Sequence, residues 1–266
     1  MFLSLYEANK WIEPLDDYIN DPKLTDKKWF DKDDIIPLWL AADSVNGKLY
    51  ALPSEGEATI HVFNRELYEK KGLKPPATME EFKETAKALN KIDGKAAGAA
   101  LRGFRGAGQN LYIWPSLFLA WGGKWFGADG KVLVNSEPGV KSLEYYCDLL
   151  QNYGPAGVEN WNWPEIMEAY AGGNVAQFID ANSTASVIEN PAKSKAAGKT
   201  GYQRWPKGPS GRRVTSIWNW AMSINSAPAP YASACPSPVY SQLLLVMSNA
   251  RPMPPVASTT APHEKS

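Results

Sequence analysis

Residues 46–81 read NGKLYALPSEGEATIHVFNRELYEKKGLKPPATMEE, and this stretch carries the signals that decide the fold. Asn46-Gly47 predicts a tight turn that leads into a strand over residues 48–53. The residues at 58–63 are rich in β-forming types and alternate loosely, so we expect a second strand there. Two strands are therefore predicted close together in the sequence.

Helices follow these strands. Residues 67–71 predict a short helix, and Thr78 with Glu81 three residues later is the pattern of a capping box that begins a longer helix. Toward the C-terminus, turn and cap residues alternate with apolar runs. The further elements are an apolar segment over 111–120, strands over 131–134 and 175–179, and helices over 136–150 and 163–171. Strands alternating with helices predict an α/β protein with a largely parallel sheet.

The composition excludes several classes of protein. Hydrophobic residues make up 44% of the 266 residues and charged residues 21%, which is typical of a globular chain. The 28 basic residues equal the 28 acidic ones, so no nucleic-acid or membrane-surface partner is expected. Only two histidines and two cysteines are present, and we therefore expect no metal and no cofactor.

The eleven tryptophans are the unusual feature, because several stand beside planar polar side chains. Sugars and polyols present C–H faces that stack on indoles, and hydroxyls that bond to Asp, Asn, Glu and Arg. These clusters predict a sugar-type binding site; taken singly, each also fits aromatic residues that fill the core. The clusters are Arg102, Arg105, Gln109, Asn110 and Trp114; Trp161–Trp163; Asp180–Asn182; and Trp218–Trp220.

Glu55 and Glu57 leave an enzymatic alternative open. Glycoside hydrolysis uses a pair of carboxylates, and residues i and i+2 of a strand lie on the same face about 6–7 Å apart. Such a pair can also hold ligand hydroxyls without chemistry. The sequence therefore predicts a binding protein, with a carbohydrate-active enzyme that uses Glu55 or Glu57 as the rival hypothesis.

Several segments resemble one family when they are taken in order. The stretches WIEPLDDYI (11–19), NGKLYALP (46–53), NRELY (64–68) and WPKGPSG (205–211) follow the order and spacing found in extracellular solute-binding proteins of family 1. That family contains the sugar-binding subunits of ABC importers, and maltose-binding protein is a member. The resemblance covers roughly residues 5–226.

The resemblance implies a fold and a site. The fold is the two-lobed, type II periplasmic-binding-protein fold of class α/β, with the ligand between the lobes. Glu57 corresponds to an acidic contact at the hinge, Trp114 to an indole on the wall of the C-terminal lobe, and Asp180 to a position where a loop meets the ligand. The full set of expected ligand-binding residues is Glu57, Glu55, Arg102, Arg105, Asn110, Trp114, Trp163, Asp180, Trp218, Asn219 and Trp220.

The resemblance also predicts the domain organisation. Residues 1–56 would be a remnant of the N-terminal lobe, 57–217 the C-terminal lobe, and 218–226 a return crossing. Residues 227–266 are rich in Pro, Ala and Ser, and predict a disordered tail without a counterpart in the family. The chain shows neither a signal peptide nor the family's first βαβ unit, so an inactive fragment of a binding protein is a further hypothesis.

The implied partners are those of an importer. We expect a monomer that binds a small sugar or polyol and delivers it to the transmembrane subunits of an ABC permease. The resemblance places it in the periplasm or at the cell surface.

Overall fold

A computed structural model describes residues 3–106 and 108–225; the predicted tail therefore lies outside the described residues. Ten α-helices and six strands are seen in this part of the chain. The helices are α1 Leu3–Ala8, α2 Asp16–Asn20, α3 Lys27–Phe30, α4 Pro37–Ala42, α5 Arg65–Lys70, α6 Met79–Leu89, α7 Asn110–Ala120, α8 Glu137–Asp148, α9 Trp163–Ala171 and α10 Ala185–Ile188. The strands are β1 Ser44–Val45, β2 Lys48–Leu49, β3 Leu52–Asn64, β4 Gln177–Ala181, β5 Thr200–Gln203 and β6 Ile217–Met222.

The described residues form two compact units. The central unit is Glu57–Trp218, and the terminal unit consists of the described residues up to Gly56 and from Asn219 to Asn225. Strands β3 and β6 each run from one unit into the other. The chain rejoins the terminal unit within β6, at Asn219, and beyond that strand the Glu13 amide donates to the Ile224 carbonyl at 2.9 Å.

The main sheet has the order β4–β3–β5, and β6 also pairs with β3. Both pairings of β3 with β4 and with β5 are antiparallel. The prediction of a largely parallel sheet is therefore wrong. Parallel pairing in the described part of the chain is confined to isolated bridges, including Ala97–Val175 and Ala100–Phe178. The order of strands and helices along a sequence does not fix strand direction, because the partners of β3 lie more than a hundred residues away.

The local signals formed what they predicted. β1 and β2 are joined by Asn46 and Gly47, both at positive φ, as a tight hairpin turn requires. Thr78 Oγ1 accepts from the Glu81 amide at 3.2 Å and begins α6. The Glu81 carboxylate returns to the Ala77 amide at 2.6 Å, one residue before the cap. α9 begins and ends where Trp163-Pro164 and Gly172 predict.

Two segments depart from what their sequence patterns suggest. In α8, the aliphatic side chains of Val140 and Leu143 are about half exposed, whereas Tyr145 and Tyr146 are buried. α8 therefore packs with an aromatic face. The strand expected over 131–134 is reduced to a single bridge between Phe126 and Val132.

The core lies in the central unit. Its buried apolar side chains form three clusters, built around Phe82 and Leu117, around Phe178 and Ile166, and around Phe63. The terminal unit buries few apolar side chains in its described part, and these are Ile12, Leu15, Leu49, Tyr50 and Ala51. It leaves Trp29 84% exposed. Apolar burial, the main driving force of folding, is therefore concentrated in the central unit.

Two kinds of feature are absent from the described residues. No helix among residues 3–106 and 108–225 is long and apolar enough to cross a membrane. In the same residues, His, Cys, Asp and Glu side chains do not gather in threes as a metal site would need.

Candidate ligand-binding site

A buried ion pair joins the loop before α7 to strand β4. Arg102 Nη2 and Nε donate to Asp180 Oδ1 and Oδ2 at 2.5 and 2.9 Å. The two side chains are only 6% and 0% exposed. Asp180 Oδ1 also accepts from the Ala181 amide at 2.7 Å. Both oxygens of Asp180 are therefore buried and bonded within the protein, and its predicted contact with a ligand stays a prediction.

Arg102 also reaches two other elements. Its Nη1 donates to the Gly108 carbonyl at 2.7 Å, and its guanidinium carbon lies 4.4 Å from the centre of the Tyr112 ring in α7. That distance is within the range of a cation–π contact. The buried side chain of Arg102 thus contacts β4, the loop before α7 and α7 itself. Its guanidinium is engaged within the protein, as the Asp180 carboxylate is.

The same loop uses the side chain of Asn110. Asn110 Oδ1 accepts from the Gly106 amide at 3.1 Å, and the Asn110 amide donates to Phe104 at 3.0 Å. Arg105, in the middle of the loop, is exposed. The predicted cluster therefore divides into residues that hold the loop and one that points into solvent.

Trp218 rests on this assembly. Its ring meets the Tyr112 ring edge to face, with centroids 6.0 Å apart and an interplanar angle of 86°. Gly108 has φ +73°, and a Cβ there would lie 3.1 Å from Trp218 Cη2. The indole is half-buried. Trp218 therefore packs against Gly108 and Tyr112, which are also contacted by Arg102.

Glu57 is anchored at the start of the central unit. The Ser183 hydroxyl, just after β4, donates to the Glu57 carboxylate, and Asn182 Oδ1 accepts from the Ala58 amide at 2.9 Å. Glu57 is half-buried. Ser183 was not singled out from the sequence as a site residue, because its contact with Glu57 depends on pairing between distant strands.

The Tyr112 ring contacts Trp218, and the charge of Glu57 acts on the Tyr112 hydroxyl. Burial raises the pKa of its phenol, and the negative charge of Glu57 raises it further. The phenol is therefore neutral at physiological pH. Within the described chain its buried oxygen has no hydrogen-bond partner, which is rare for a buried polar group. Tyr112 therefore brings a neutral hydroxyl beside the Trp218 indole.

Trp114 belongs to an aromatic cluster of the central unit. Its ring stacks on Phe118 at 5.5 Å and meets Trp125 edge to face at 6.2 Å, and Trp125 in turn packs on Phe118. Trp114 is half-buried and packs against the core cluster around Leu117. One face of its ring therefore has an aromatic partner, and its predicted contact with a ligand stays a prediction. Trp163, the first residue of α9, is 44% exposed and lies in neither group of contacts.

Three predicted residues belong to the terminal unit. Asn219 Nδ2 donates to Asp43 Oδ2 at 2.8 Å, and the Trp220 carbonyl accepts from Ser54 Oγ at 2.9 Å. Burial raises the pKa of the Asp43 carboxyl, while the bond from Asn219 lowers it. Glu55 is exposed and lines a pocket of about 340 Å³ together with Trp39 and Gly56. Trp39 was missed from the sequence; it packs so closely on Gly56 that a Cβ there would lie 1.9 Å from the indole.

Comparison with known proteins assigns the family. The sequence model of the bacterial extracellular solute-binding protein matches residues 1–230. The chain belongs to this family. The resemblance read from the order of motifs is thereby confirmed.

Three relatives show what this solute-binding protein is similar to. A mannitol-binding protein of Pseudomonas aeruginosa is 28% identical over 260 residues, covering 95% of this chain and 58% of that protein. An ABC transporter solute-binding protein of Agrobacterium vitis S4, solved with bound D-mannitol, is 28% identical with a TM-score of 0.77, covering 91% of this chain and 56% of that one. One from Agrobacterium radiobacter K84, in complex with ribitol, has the same identity and TM-score over 86% and 57% of the two chains.

These matches bear on two expectations. The type II fold is confirmed, and the solute-binding protein described here spans less than three fifths of the length of these relatives. The alignment with the Pseudomonas aeruginosa protein covers 95% of the chain, more than residues 1–226 alone supply. The prediction that residues 227–266 have no counterpart in the family stays a prediction.

Proposed function

We propose that this protein is the substrate-binding component of an ABC transporter and binds a sugar or sugar alcohol. The observation that carries the proposal is the edge-to-face contact of Trp218 with Tyr112 in the central unit, together with the Glu57 carboxylate that the Ser183 hydroxyl holds in the same unit. An indole supplies a flat apolar face for C–H groups, and the carboxylate accepts from hydroxyls. The relatives that bind mannitol and ribitol make a linear polyol the first ligand class to test.

The proposed roles differ from the predicted ones in two respects: the stacking residue changes, and Arg102 and Asp180, which are bonded to each other, support the site instead of contacting the ligand. Trp218 replaces Trp114 as the stacking residue, since Trp114 is engaged with Phe118. Glu57 stays the acidic contact, and Ser183 orients it. Arg105, Trp163, Glu55, Asn219 and Trp220 stay candidate ligand contacts.

The remaining assignments follow from the family. The central unit is the C-terminal lobe, and the residues up to Gly56 belong to the N-terminal lobe. The protein acts without catalysis, as a monomer in the periplasm or at the cell surface, and hands its ligand to the transmembrane subunits of a permease. Family members are transport binding proteins, which supports the absence of an enzymatic step.

A thermal-shift panel tests the ligand class. The purified chain is heated with D-mannitol, ribitol, maltose and, as a control, the amino acid glycine. A ligand at one hundred times its Kd adds about 2.7 kcal/mol to the free energy of unfolding, which is a rise in Tm of about 5–10 °C for a chain of this size. A rise with a sugar or polyol but not with glycine supports the proposal, and no rise with any of them contradicts it.

The enzymatic rival needs its own assay. The chain is incubated with aryl glycosides and oligosaccharides, and new reducing ends are measured. Turnover that Glu57→Gln or Glu55→Gln abolishes would establish the enzyme and overturn the binding proposal.

A further inference from the structure

The buried Arg102 of the pair with Asp180 contacts the two residues that hold Trp218, Gly108 and Tyr112. Asp180 fixes two of the guanidinium nitrogens, and the third donates to the Gly108 carbonyl. The face of the guanidinium covers the Tyr112 ring. Each guanidinium nitrogen of Arg102 thereby donates a hydrogen bond, and the group contacts three separate elements, namely β4, the loop and α7.

Trp218 depends on two of those three contacts. Its ring edge lies against Gly108, and its indole meets the Tyr112 ring edge to face. The Arg102 backbone is itself fixed, because the Tyr146 hydroxyl donates to the Arg102 carbonyl. The chain of contacts therefore runs from the sheet through Arg102 to the loop and the helix, and from these to the indole.

We propose that Arg102 and Asp180 are positioning residues for ligand binding, which set the place and tilt of the Trp218 indole through Gly108 and Tyr112. The inference rests on the proposed function, because it assumes that Trp218 stacks on the ligand. A lysine in place of Arg102 keeps the charge but has no planar fork, so it cannot serve Asp180, Gly108 and Tyr112 together.

Gly108 gives the first test, since it can be changed without touching the ion pair. Gly108→Ala places a methyl group 3.1 Å from the indole at a positive φ. Gly130→Ala is the matched control: its φ is +78° and a Cβ there meets nothing within 4 Å, so the backbone strain is similar and no ring is displaced. With D-mannitol as the probe, we expect Gly108→Ala to weaken binding about tenfold and Gly130→Ala to leave the Kd unchanged, with similar small losses in Tm.

A double-mutant cycle gives the second test. Kd values for D-mannitol are measured for Arg102→Lys, Trp218→Ala and the double variant, well below the Tm of each. If Arg102 acts through Trp218, Arg102→Lys weakens binding in the wild-type background and adds little in the Trp218→Ala background. A purely structural role would lower the Tm and leave the Kd of the folded protein unchanged.

The outcomes separate the two proposals. If the wild-type chain binds none of D-mannitol, ribitol and maltose, the proposed function is contradicted, and so is this inference. A wild-type chain that binds one of them, while Gly108→Ala binds as tightly or the cycle is additive, contradicts the positioning role alone. Should Arg102→Lys fail to fold, the comparison of Gly108→Ala with Gly130→Ala decides.

Discussion

His61 Nε2 lies 2.9 Å from Gln177 Oε1 across the paired strands β3 and β4, and both side chains are fully buried. On the other side of the ring, Gln203 Nε2 lies 2.9 Å from His61 Nδ1. Because an amide nitrogen can only donate, Nδ1 is the acceptor and Nε2 carries the proton. The imidazole is therefore held neutral, and burial lowers its pKa to about 3, against a smaller opposing effect of the bond to Gln177.

This relationship predicts a loss of stability in acid. Between pH 6.5 and about 3, His61 is protonated in the unfolded chain but stays neutral in the folded chain. The free energy of unfolding therefore falls as the pH is lowered through this range. The slope from this residue approaches about 1.4 kcal/mol per pH unit and vanishes below pH 3. Urea unfolding across this range measures it. His61→Gln removes the titrating group, and an unchanged slope in that variant would contradict the assignment.

Breaking a buried ion pair and breaking a partly exposed one in the central unit should lower the free energy of unfolding by different amounts. Asp180→Ala leaves the Arg102 charge buried without its partner, and we expect a loss of about 3–5 kcal/mol. Lys83→Ala breaks the ion pair with Asp148, in which both side chains are about one third exposed. This change should lower the free energy of unfolding by about 1 kcal/mol or less. Chemical denaturation of both variants measures the difference. Equal losses would show that the buried pair is not the structural element described here.

Replacing tyrosine by phenylalanine is expected to change the free energy of unfolding in opposite directions at Tyr112 and Tyr145. Tyr112→Phe removes a buried oxygen that has no partner among the described residues, and should raise the free energy of unfolding by about 1 kcal/mol. Tyr145→Phe removes a hydroxyl that donates to the Met79 carbonyl, and should lower it by about 1 kcal/mol. Two unfolding curves under identical conditions suffice. A loss at Tyr112 equal to that at Tyr145 would mean that its oxygen is bonded.

The distribution of buried apolar groups predicts unequal protection of the two units. Slow hydrogen exchange is expected over residues 143–179, which lie largely within the core clusters of the central unit. Faster exchange is expected over residues 11–52, where Trp29 and Leu38 are exposed. Exchange measured by mass spectrometry on peptides from these ranges tests the prediction. Equally slow exchange in both would contradict it.

The sequence predicts best what is settled within a few residues. The Asn46-Gly47 turn and the Thr78 cap depend on local backbone chemistry, and both formed as expected. The direction of the sheet and the burial of Asp180 depend on strands that are far apart in the sequence. The choice of Tyr145 over Val140 for the buried face of α8 depends on what the helix packs against. The same holds for the candidate site: its residue types were visible in the sequence, whereas the burial of Arg102 and the exposure of Arg105 were not.

The stacking role of Trp218 is the part of the site that a substitution can isolate. Trp218→Ala removes the indole, and we expect a loss of about 1–3 kcal/mol in binding free energy, or about tenfold to a hundredfold in Kd. Trp29→Ala removes an indole that is 84% exposed in the terminal unit and should leave the Kd unchanged. Equal Kd values for the two variants would contradict the assignment.

Isothermal titration of D-mannitol into the purified chain tests the central claim most directly, because it measures binding without an assumption about stability. The account predicts saturable heat with one site per chain, and a Kd that Glu57→Gln raises, since that carboxylate is the proposed acceptor for ligand hydroxyls. If D-mannitol fails to saturate, ribitol and maltose are titrated in the same way. The absence of saturable heat with all three at millimolar concentration would contradict the claim that this protein binds a sugar or polyol.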